Sequence, residues 1–152
     1  MTADQVSLRQ MRAADLDVLL VYETDMFGHE SWSRRSYEDE LADTELRHYL
    51  VAESADGQVL GSAGLMCIGP TAQILTVGVL PAARRRGVAT LLVRELVAEA
   101  RRRQAEEVLL EVRMDNDAAR NLYQSEGFLT IGTRRGYYEQ GRVDAVVMRH
   151  AL

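Results

Sequence analysis

Glu111 and Tyr123 are the residues whose types and spacing best suit proton transfer. Glu111 interrupts the apolar run of residues 108–112, and Tyr123 lies about two to three helical turns into the next predicted element. A carboxylate can accept a proton from an attacking group, and a phenol can stabilise a leaving group. Each also has a purely structural interpretation, since Glu111 could be a solvated strand tip and Tyr123 a core tyrosine with a wet hydroxyl.

Residues 84–90 form a second stretch that could bind a ligand, because their pattern is typical of an anion site. They follow an apolar run that stops at Pro81, and a long helical pattern begins there. The first N–H groups of a helix have no intrahelical partner, and the helix dipole favours negative charge. Gly87 and Ala89 leave room for converging N–H donors, so a phosphate is the expected ligand. The alternative is that the arginines of this stretch only form a solvated basic turn.

The composition excludes several classes of function. All 18 basic residues are arginine, which excludes a lysine nucleophile, a lysine Schiff base and a Walker-type phosphate loop. The formal charge of −5 argues against a general nucleic-acid binder. The single Cys67 cannot form an internal disulfide, and the histidines lack metal-ligand spacing. We expect no metal site, no membrane segment, no direct nucleic-acid partner and a cytoplasmic location.

The hydrophobic pattern predicts one α+β domain over residues 1–152, with a mixed sheet and one central parallel strand pair. Helices are expected from Asp15, as N-cap, to Gly28, and then after Ser33. Two more are expected over residues 84–103 and from a cap at Asp115 or Asn116 to Gly127. The predicted strands cover residues 6–11, 49–52, 59–68, 72–79, 108–112, 128–133 and 143–148.

Together these pieces resemble the GNAT superfamily of acetyl-CoA-dependent N-acetyltransferases. Arg84-x-x-Gly87-x-Ala89 matches the family's pyrophosphate loop, just beyond its strand and proline. Residues 110–128, with Leu-Glu-Val-Arg-x-x-Asn-x-x-Ala-x-x-Leu-Tyr-x-x-x-Gly-Phe, and residues 134–138, Arg-Arg-Gly-Tyr-Tyr, resemble the RimI subfamily. RimI enzymes acetylate the N-terminal alanine of a ribosomal protein. The resemblance implies the three-layer GNAT fold, in which the two parallel strands splay apart.

The resemblance also implies roles for individual residues. It makes Glu111 the general base and Tyr123 the proton donor. The implied acetyl-CoA contacts are Val77, Gly78, Val79, Arg84, Arg85, Arg86, Gly87, Val88, Ala89, Thr90 and Asn116. The candidate substrate groove consists of Trp32, Tyr37, Arg134, Tyr137 and Tyr138. The sequence departs from the family pattern at Ser31, where many relatives have proline, and at Leu80, where a polar residue is commoner.

The expected function is therefore transfer of acetyl from acetyl-CoA to a protein N-terminus, by direct attack in a ternary complex. The expected partner is a ribosomal protein, and the expected state is a monomer or weak dimer. Two alternatives remain open: acetylation of a small amine or a lysine by the same fold, and a non-catalytic domain that binds acetyl-CoA. In the expected reaction the pantetheine arm of acetyl-CoA pairs like an added strand with the end of the predicted strand 72–79, if the two parallel strands splay apart. Gly78 is consistent with a bulge or a close approach there.

Overall fold

A seven-stranded sheet, in the order β1-β2-β3-β4-β5-β7-β6, runs through the computed structural model, which describes residues 5–138 and 141–152. Its strands are β1 (Val6–Gln10), β2 (Arg47–Ser54), β3 (Val59–Ile68), β4 (Thr71–Val79), β5 (Glu107–Arg113), β6 (Leu129–Tyr138) and β7 (Val143–Ala151). Neighbouring strands pair antiparallel except β4 and β5, which are parallel. The mixed sheet with one central parallel pair is thus confirmed.

Helices cover both faces of the sheet and give three layers. They are α1 (Leu16–Leu19), α2 (Glu23–Phe27), α3 (Arg34–Ala42), α4 (Val88–Arg102) and α5 (Asp117–Ser125). Residues of α4 and α5 belong to one buried apolar cluster, whereas residues of α1 to α3 belong to a second cluster with β2. No helix among the described residues is long and apolar enough to cross a membrane.

The parallel pair splays, as the sequence predicts. Only Thr71–Gln73 of β4 pair with β5, opposite Glu107–Leu109, and from Ile74 onwards β4 pairs with β3 alone. The register of β3 and β4 shifts between Gly64 and Leu65, which leaves Leu75 as the extra residue of a bulge. The rest of the β4 edge that faces β5 is therefore outside the ladder, and a gap opens in the middle of the sheet.

The single helix expected between Asp15 and Gly28 is wrong in detail. Leu20–Tyr22 form a 3-10 turn that separates α1 from α2. Asp15 does precede α1 as its N-cap residue, but its backbone is already helical and its side chain makes no capping hydrogen bond. Its carboxylate instead accepts hydrogen bonds from the Arg12 N–H and from the Arg9 guanidinium. The helix expected after Ser33 is confirmed as α3, and the Ser33 hydroxyl caps it by accepting from the Ser36 N–H at 3.1 Å.

The helix expected over residues 84–103 begins later, at Val88. Pro81–Ala83 form a 3-10 turn, and Arg84 is extended with φ −68° and ψ 155°. Arg85 and Gly87 then have positive φ values of 64° and 78°, which a right-handed helix does not allow. The stretch is thus a loop that leads into α4, with Gly87 at the N-cap.

In the second half of the chain, the bounds of the helix and strands agree closely with those that the sequence pattern predicts. The Asn116 side chain caps α5 by accepting from the Ala119 N–H, and Gly127 follows the helix end with φ 99°. Strand β6 is longer than the predicted residues 128–133, because its pairing with β7 resumes beyond an irregularity and reaches Tyr138. The sequence also predicts a turn near residues 139–141, of which residues 139–140 lie outside the described residues.

Candidate active site

The gap between β4 and β5 contains a cavity of about 390 Å³. Side chains of α2, α5 and β6 complete its walls. Both candidate catalytic residues, Glu111 and Tyr123, line this cavity, as do Asn116, Tyr137 and Tyr138. The structure therefore brings together residues that the sequence holds in separate elements.

Glu111 lies on β5 with a cationic partner. Arg134 on β6 donates to Glu111 Oε1 at 2.6 Å, and the Glu111 side chain is 18% exposed. The same guanidinium stacks on the Tyr137 ring, 4.2 Å from its centroid. Burial raises the pKa of Tyr137, and a hydrogen bond to Glu111 raises it further. One face of the carboxylate is thus held by groups of β6, and the other faces the cavity.

Tyr123 lies on α5, almost completely buried, with its ring edge against Phe128 at 5.8 Å between centroids. Burial raises the pKa of Tyr123 to about 12, with a smaller contribution from Tyr138. The phenol therefore stays protonated across the whole physiological range. It can donate a hydrogen bond into the cavity at any pH at which the protein works.

The loop before α4 exposes main-chain donors. Gly87 at the N-cap makes no side-chain hydrogen bond, so the N–H groups of Val88, Ala89 and Thr90 have no partner within the helix. A Cβ added at Gly87 would have no heavy atom within 4 Å among the described residues, which shows that the space beside it is open. Arg85 and Arg86 are exposed beside this helix start. The geometry suits an anion with several oxygens.

Arg84 is placed differently from its neighbours. Its guanidinium donates to the Val79 carbonyl at 3.1 Å and to Asp25 of α2 at 2.6 Å. The side chain thus ties α2 to the end of β4. A contact of Arg84 with a phosphate stays a prediction, and the structure gives the side chain a structural partner.

The three predicted contacts on β4 point in alternate directions. Val77 and Val79 pack against the apolar cluster of α4. Gly78 faces α2, where an added Cβ would lie 2.5 Å from Phe27 and 2.9 Å from Met26. The close approach expected at Gly78 is real, but it is made by α2, and the bulge lies earlier at Leu75. Any contact of these residues with a ligand in the gap would come from their main chain.

The predicted substrate residues fall into two groups. Trp32 and Tyr37 lie on the α2–α3 side of the cavity, with ring centroids 5.1 Å apart, and Tyr37 is only 1% exposed. Tyr137 and Tyr138 lie on the opposite side, with ring centroids 4.8 Å apart. Arg134 pairs with Glu111 and so supports the candidate base, but it is not among the residues that line the cavity.

Glu23 is a cavity residue to which the sequence pattern assigned no role. Its side chain is 4% exposed, and Tyr37 Oη donates to it at 2.5 and 3.1 Å. The Trp32 N–H donates at 3.4 Å, and burial raises the pKa of the carboxyl despite these hydrogen bonds. A signal was present: Glu23 occupies a position on the apolar stripe of the predicted helix, four residues from Leu19 and from Phe27.

Metal ligands do not gather in the part of the chain that the structure describes, where no three His, Cys, Asp or Glu residues could hold one ion. The cavity presents a carboxylate and phenols, and the start of α4, outside the residues that line the cavity, presents N–H groups without an intrahelical partner. This arrangement suits group transfer from an anionic carrier. Residues 16–128 match the family described as "Acetyltransferase (GNAT) family". The chain belongs to this family, and its fold is the three-layer fold that the resemblance implies.

The similar proteins include several N-terminal acetyltransferases. The chain is 39% identical to "N-alpha-acetyltransferase RimI" of Mycobacterium tuberculosis, over 98% of this chain and 96% of the relative. It is 29% identical to the "[Ribosomal protein bS18]-alanine N-acetyltransferase" of Escherichia coli, over 87% and 89% of the two chains. The crystal structure of the Escherichia coli ribosomal-protein-S18-alanine N-acetyltransferase superposes with a TM-score of 0.85 at 26% identity, covering 96% of this chain and 93% of that one. The RimI-like resemblance is confirmed.

Proposed function

We propose that this chain transfers an acetyl group from acetyl-CoA to the α-amine of a protein N-terminus, and that a ribosomal protein beginning with alanine is its target. The observation that carries the proposal is the cavity between β4 and β5, into which Glu111 and Tyr123 point from neighbouring elements. The relatives named as ribosomal protein bS18-alanine and Nα-acetyltransferases support the choice of substrate. Such a target places the reaction in the cytoplasm.

The residues present fit acetyl-CoA. The free N–H groups at the start of α4 suit its diphosphate, and the space beside Gly87 lets the phosphates approach. The β4 edge beyond Gln73 suits its amide-rich pantetheine arm, which would pair there like an added strand. The Asn116 amide nitrogen remains for a further contact, because its oxygen caps α5. When bound, acetyl-CoA supplies the activated acetyl group.

Glu111 would accept the proton that the attacking amine loses, directly or through a water. An α-amine has a pKa of roughly 7.7–8.0 and a lysine amine one of about 10.4, so a neutral lysine costs ~3 kcal/mol more near pH 7. Glu111, which is paired with Arg134 at 2.6 Å, therefore removes a proton more easily when the acceptor is an N-terminus than when it is a lysine. This difference favours an α-amine as acceptor.

Tyr123 would stabilise the departing sulfur. Burial raises the pKa of Tyr123 to about 12, whereas a simple thiol in water has a pKa near 8.5, so the phenol is the weaker acid of the two. Tyr123 therefore acts mainly as a hydrogen-bond donor to the thiolate, which can take its proton later from solvent. The main-chain N–H near Val79 is a candidate donor to the thioester oxygen.

Two substitutions test these roles. Glu111→Gln should lower kcat by about 10²- to 10⁴-fold, and Tyr123→Phe by about tenfold or more, with acetyl-CoA affinity changed less than about twofold. Steady-state kinetics with a peptide that begins with alanine and calorimetry with acetyl-CoA measure the two quantities. The matched controls are Glu106→Gln and Tyr22→Phe, two exposed side chains outside the cavity. Full activity of both site variants would refute the assigned roles.

The substrate class needs a separate experiment. Peptides that begin with alanine, a peptide with an internal lysine and a panel of small amines should be offered in parallel to the same enzyme. We expect the alanine peptides to have the highest kcat/KM. Binding of acetyl-CoA without turnover on any amine would favour the non-catalytic alternative. Mass spectrometry of protein N-termini from cells with and without this protein would then identify the target.

A further inference from the structure

A polar corner of the cavity, formed by Glu23 and Thr76, takes no part in the mechanism proposed above. Glu23 lies on α2 and Thr76 on β4, and both line the cavity. Glu23 is 4% exposed. Thr76 Oγ1 is buried and has no hydrogen-bond partner within residues 5–138 and 141–152. A buried hydroxyl without a partner is costly, which indicates that a ligand completes its hydrogen bonding.

The packing of α2 on β4 brings the two residues to one side of the cavity. Met26 and Phe27 of α2 lie against Gly78 of β4. Thr76 is two residues before Gly78, so its side chain leaves the strand on the same face. Glu23 is one helical turn before Phe27, so it lies on the same side of α2. Both side chains thus face the space between this helix and this strand.

Among the described residues no cation is paired with Glu23, since Arg113, which lines the cavity, pairs with Asp115 at 3.0 Å. Glu111 has Arg134 as its partner at 2.6 Å. Among the described residues, the groups that donate hydrogen bonds to Glu23 are neutral: the Tyr37 hydroxyl and the Trp32 N–H. A carboxylate has more acceptor sites than these two donors fill. An amine substrate enters largely as the ammonium ion, and a buried ammonium needs an anion beside it.

We propose that Glu23 and Thr76 form a subsite that binds the α-ammonium group of the substrate before that group gives up its proton. The subsite rests on the proposed function, since it specifies how the same cavity receives its acceptor. Glu23 provides the negative charge, and the Thr76 hydroxyl accepts a second N–H. The third N–H then points towards Glu111, which removes the first proton and leaves a neutral amine. The second proton, which the nitrogen loses as the amide forms, passes to solvent, from which the departing thiolate takes its proton. Tyr37 is the positioning residue that holds the Glu23 carboxylate from behind.

Peptide binding in the presence of saturating coenzyme A tests the subsite without turnover, because coenzyme A has no acetyl group to give. The two ligands are a peptide that begins with alanine and the same peptide with propionyl in place of alanyl, which lacks only the α-amine. Calorimetry gives the two Kd values. In the wild-type protein the peptide with the amine should bind about tenfold or more tightly, as expected for a hydrogen-bonded charge pair.

Glu23→Gln should reduce that ratio to about threefold or less, because the amide keeps the Tyr37 contact but loses the charge. Thr76→Val, which keeps the shape of the side chain and suits a strand, should reduce it by about two- to fivefold. Glu38→Gln makes the same chemical change on the exposed side of α3 and should leave the ratio unchanged. Acetylation of the alanine peptide by the wild-type protein is measured alongside.

Three results would overturn the subsite. They are a wild-type protein that does not distinguish the two peptides, a folded Glu23→Gln variant that keeps the full ratio, and loss of the ratio in Glu111→Gln alone. If Glu23→Gln does not fold, Thr76→Val decides: a lowered ratio supports the subsite and an unchanged ratio refutes it. If the wild-type protein acetylates the alanine peptide normally, but both Glu23→Gln and Thr76→Val leave the ratio of the two Kd values unchanged, only the subsite is contradicted. Absence of acetylation by the wild-type protein contradicts the proposed function itself.

Discussion

Asp15 and Glu23 are both buried carboxylates near the N-terminus, yet their surroundings are opposite. Asp15 is 7% exposed and receives hydrogen bonds from the Arg9 guanidinium at 2.8 and 2.9 Å and from the Arg12 N–H at 2.7 Å. Burial alone would raise its pKa, but these partners outweigh burial and hold the pKa below the ordinary value. The charge of Asp15 is thus compensated within the protein.

Glu23 has no cationic partner in the part of the chain that the structure describes. Its donors are a phenol and a main-chain N–H, and burial keeps its pKa above the ordinary value in spite of them. Burial therefore favours the neutral form of the Glu23 carboxyl over the charged form. The comparison indicates that Asp15 stabilises the fold, whereas Glu23 costs stability and is suited to a charged ligand. Three predictions test this difference.

The largest expected effect is at Asp15. Asp15→Asn should lower the free energy of unfolding by about 2–3 kcal/mol, because it breaks a buried, doubly hydrogen-bonded ion pair, although Arg9 keeps Glu53 as a partner. Urea denaturation at pH 7 measures the change. Asp17→Asn is the matched control: Asp17 pairs with Arg34 at the surface, so the loss should stay below about 1 kcal/mol. Equal losses of unfolding free energy in Asp15→Asn and Asp17→Asn would show that the buried ion pair of Asp15 stabilises the fold no more than a surface pair does.

An intermediate effect is expected at Tyr37. Tyr37→Phe should lower the free energy of unfolding by about 1–2 kcal/mol, since Glu23 then keeps only the Trp32 N–H as a donor. Urea denaturation again measures the change, with the half-exposed Tyr22→Phe as control. A variant as stable as the wild-type protein would show that the Glu23 carboxylate does not depend on this phenol.

The smallest effect, and one of opposite sign, is expected at Glu23. A raised pKa means that Glu23 stabilises the fold fully only below its unfolded value near 4.5, and that this contribution is lost as the pH rises through the folded value. Glu23→Gln should therefore gain stability relative to the wild-type protein as the pH rises from about 4.5 to 7, by less than about 1 kcal/mol.

Unfolding curves at several pH values check this sign against Asp15. The lowered pKa of Asp15 gives stability that is present above about pH 4 and lost as the pH falls through the folded value. Asp15→Asn should thus differ from the wild-type protein most at neutral pH and least in acid. A Glu23→Gln variant that loses stability as the pH rises would contradict the proposed contrast.

The two halves of the chain also differ in how far the sequence predicts them. From β4 onwards, strands and helices follow their hydrophobic periods, and Asn116 and Gly127 mark the ends of α5 as expected. The start of α4 differs from the prediction, which begins the helix at Arg84, because Arg84 is extended and both Arg85 and Gly87 have positive φ values. Backbone strain at one non-glycine residue has no sequence signal.

The N-terminal helices were predicted less well. The stripe from Leu16 to Phe27 is continuous in sequence, but α1 and α2 pack as separate short pieces. The sequence shows that Glu23 lies on that stripe, yet it cannot show that Tyr37 meets it there, because the contact joins two helices. The candidate catalytic pair was easier to predict, since Glu111 and Tyr123 lie in a strand and the helix that follows it. Their roles stay predictions.

The short β4–β5 ladder has a consequence for solubility. Unpaired strand edges usually lie at the rim of a sheet, where a second molecule can pair with them and start aggregation. Here the open edge of β4 beyond Gln73 lies in the centre of the sheet, with β5 on its other side. A single thin, extended ligand can enter that opening, but the edge of another folded sheet cannot. The fold thus leaves main-chain N–H and C=O groups of β4 available to an extended ligand without exposing a strand edge with which a second molecule could pair.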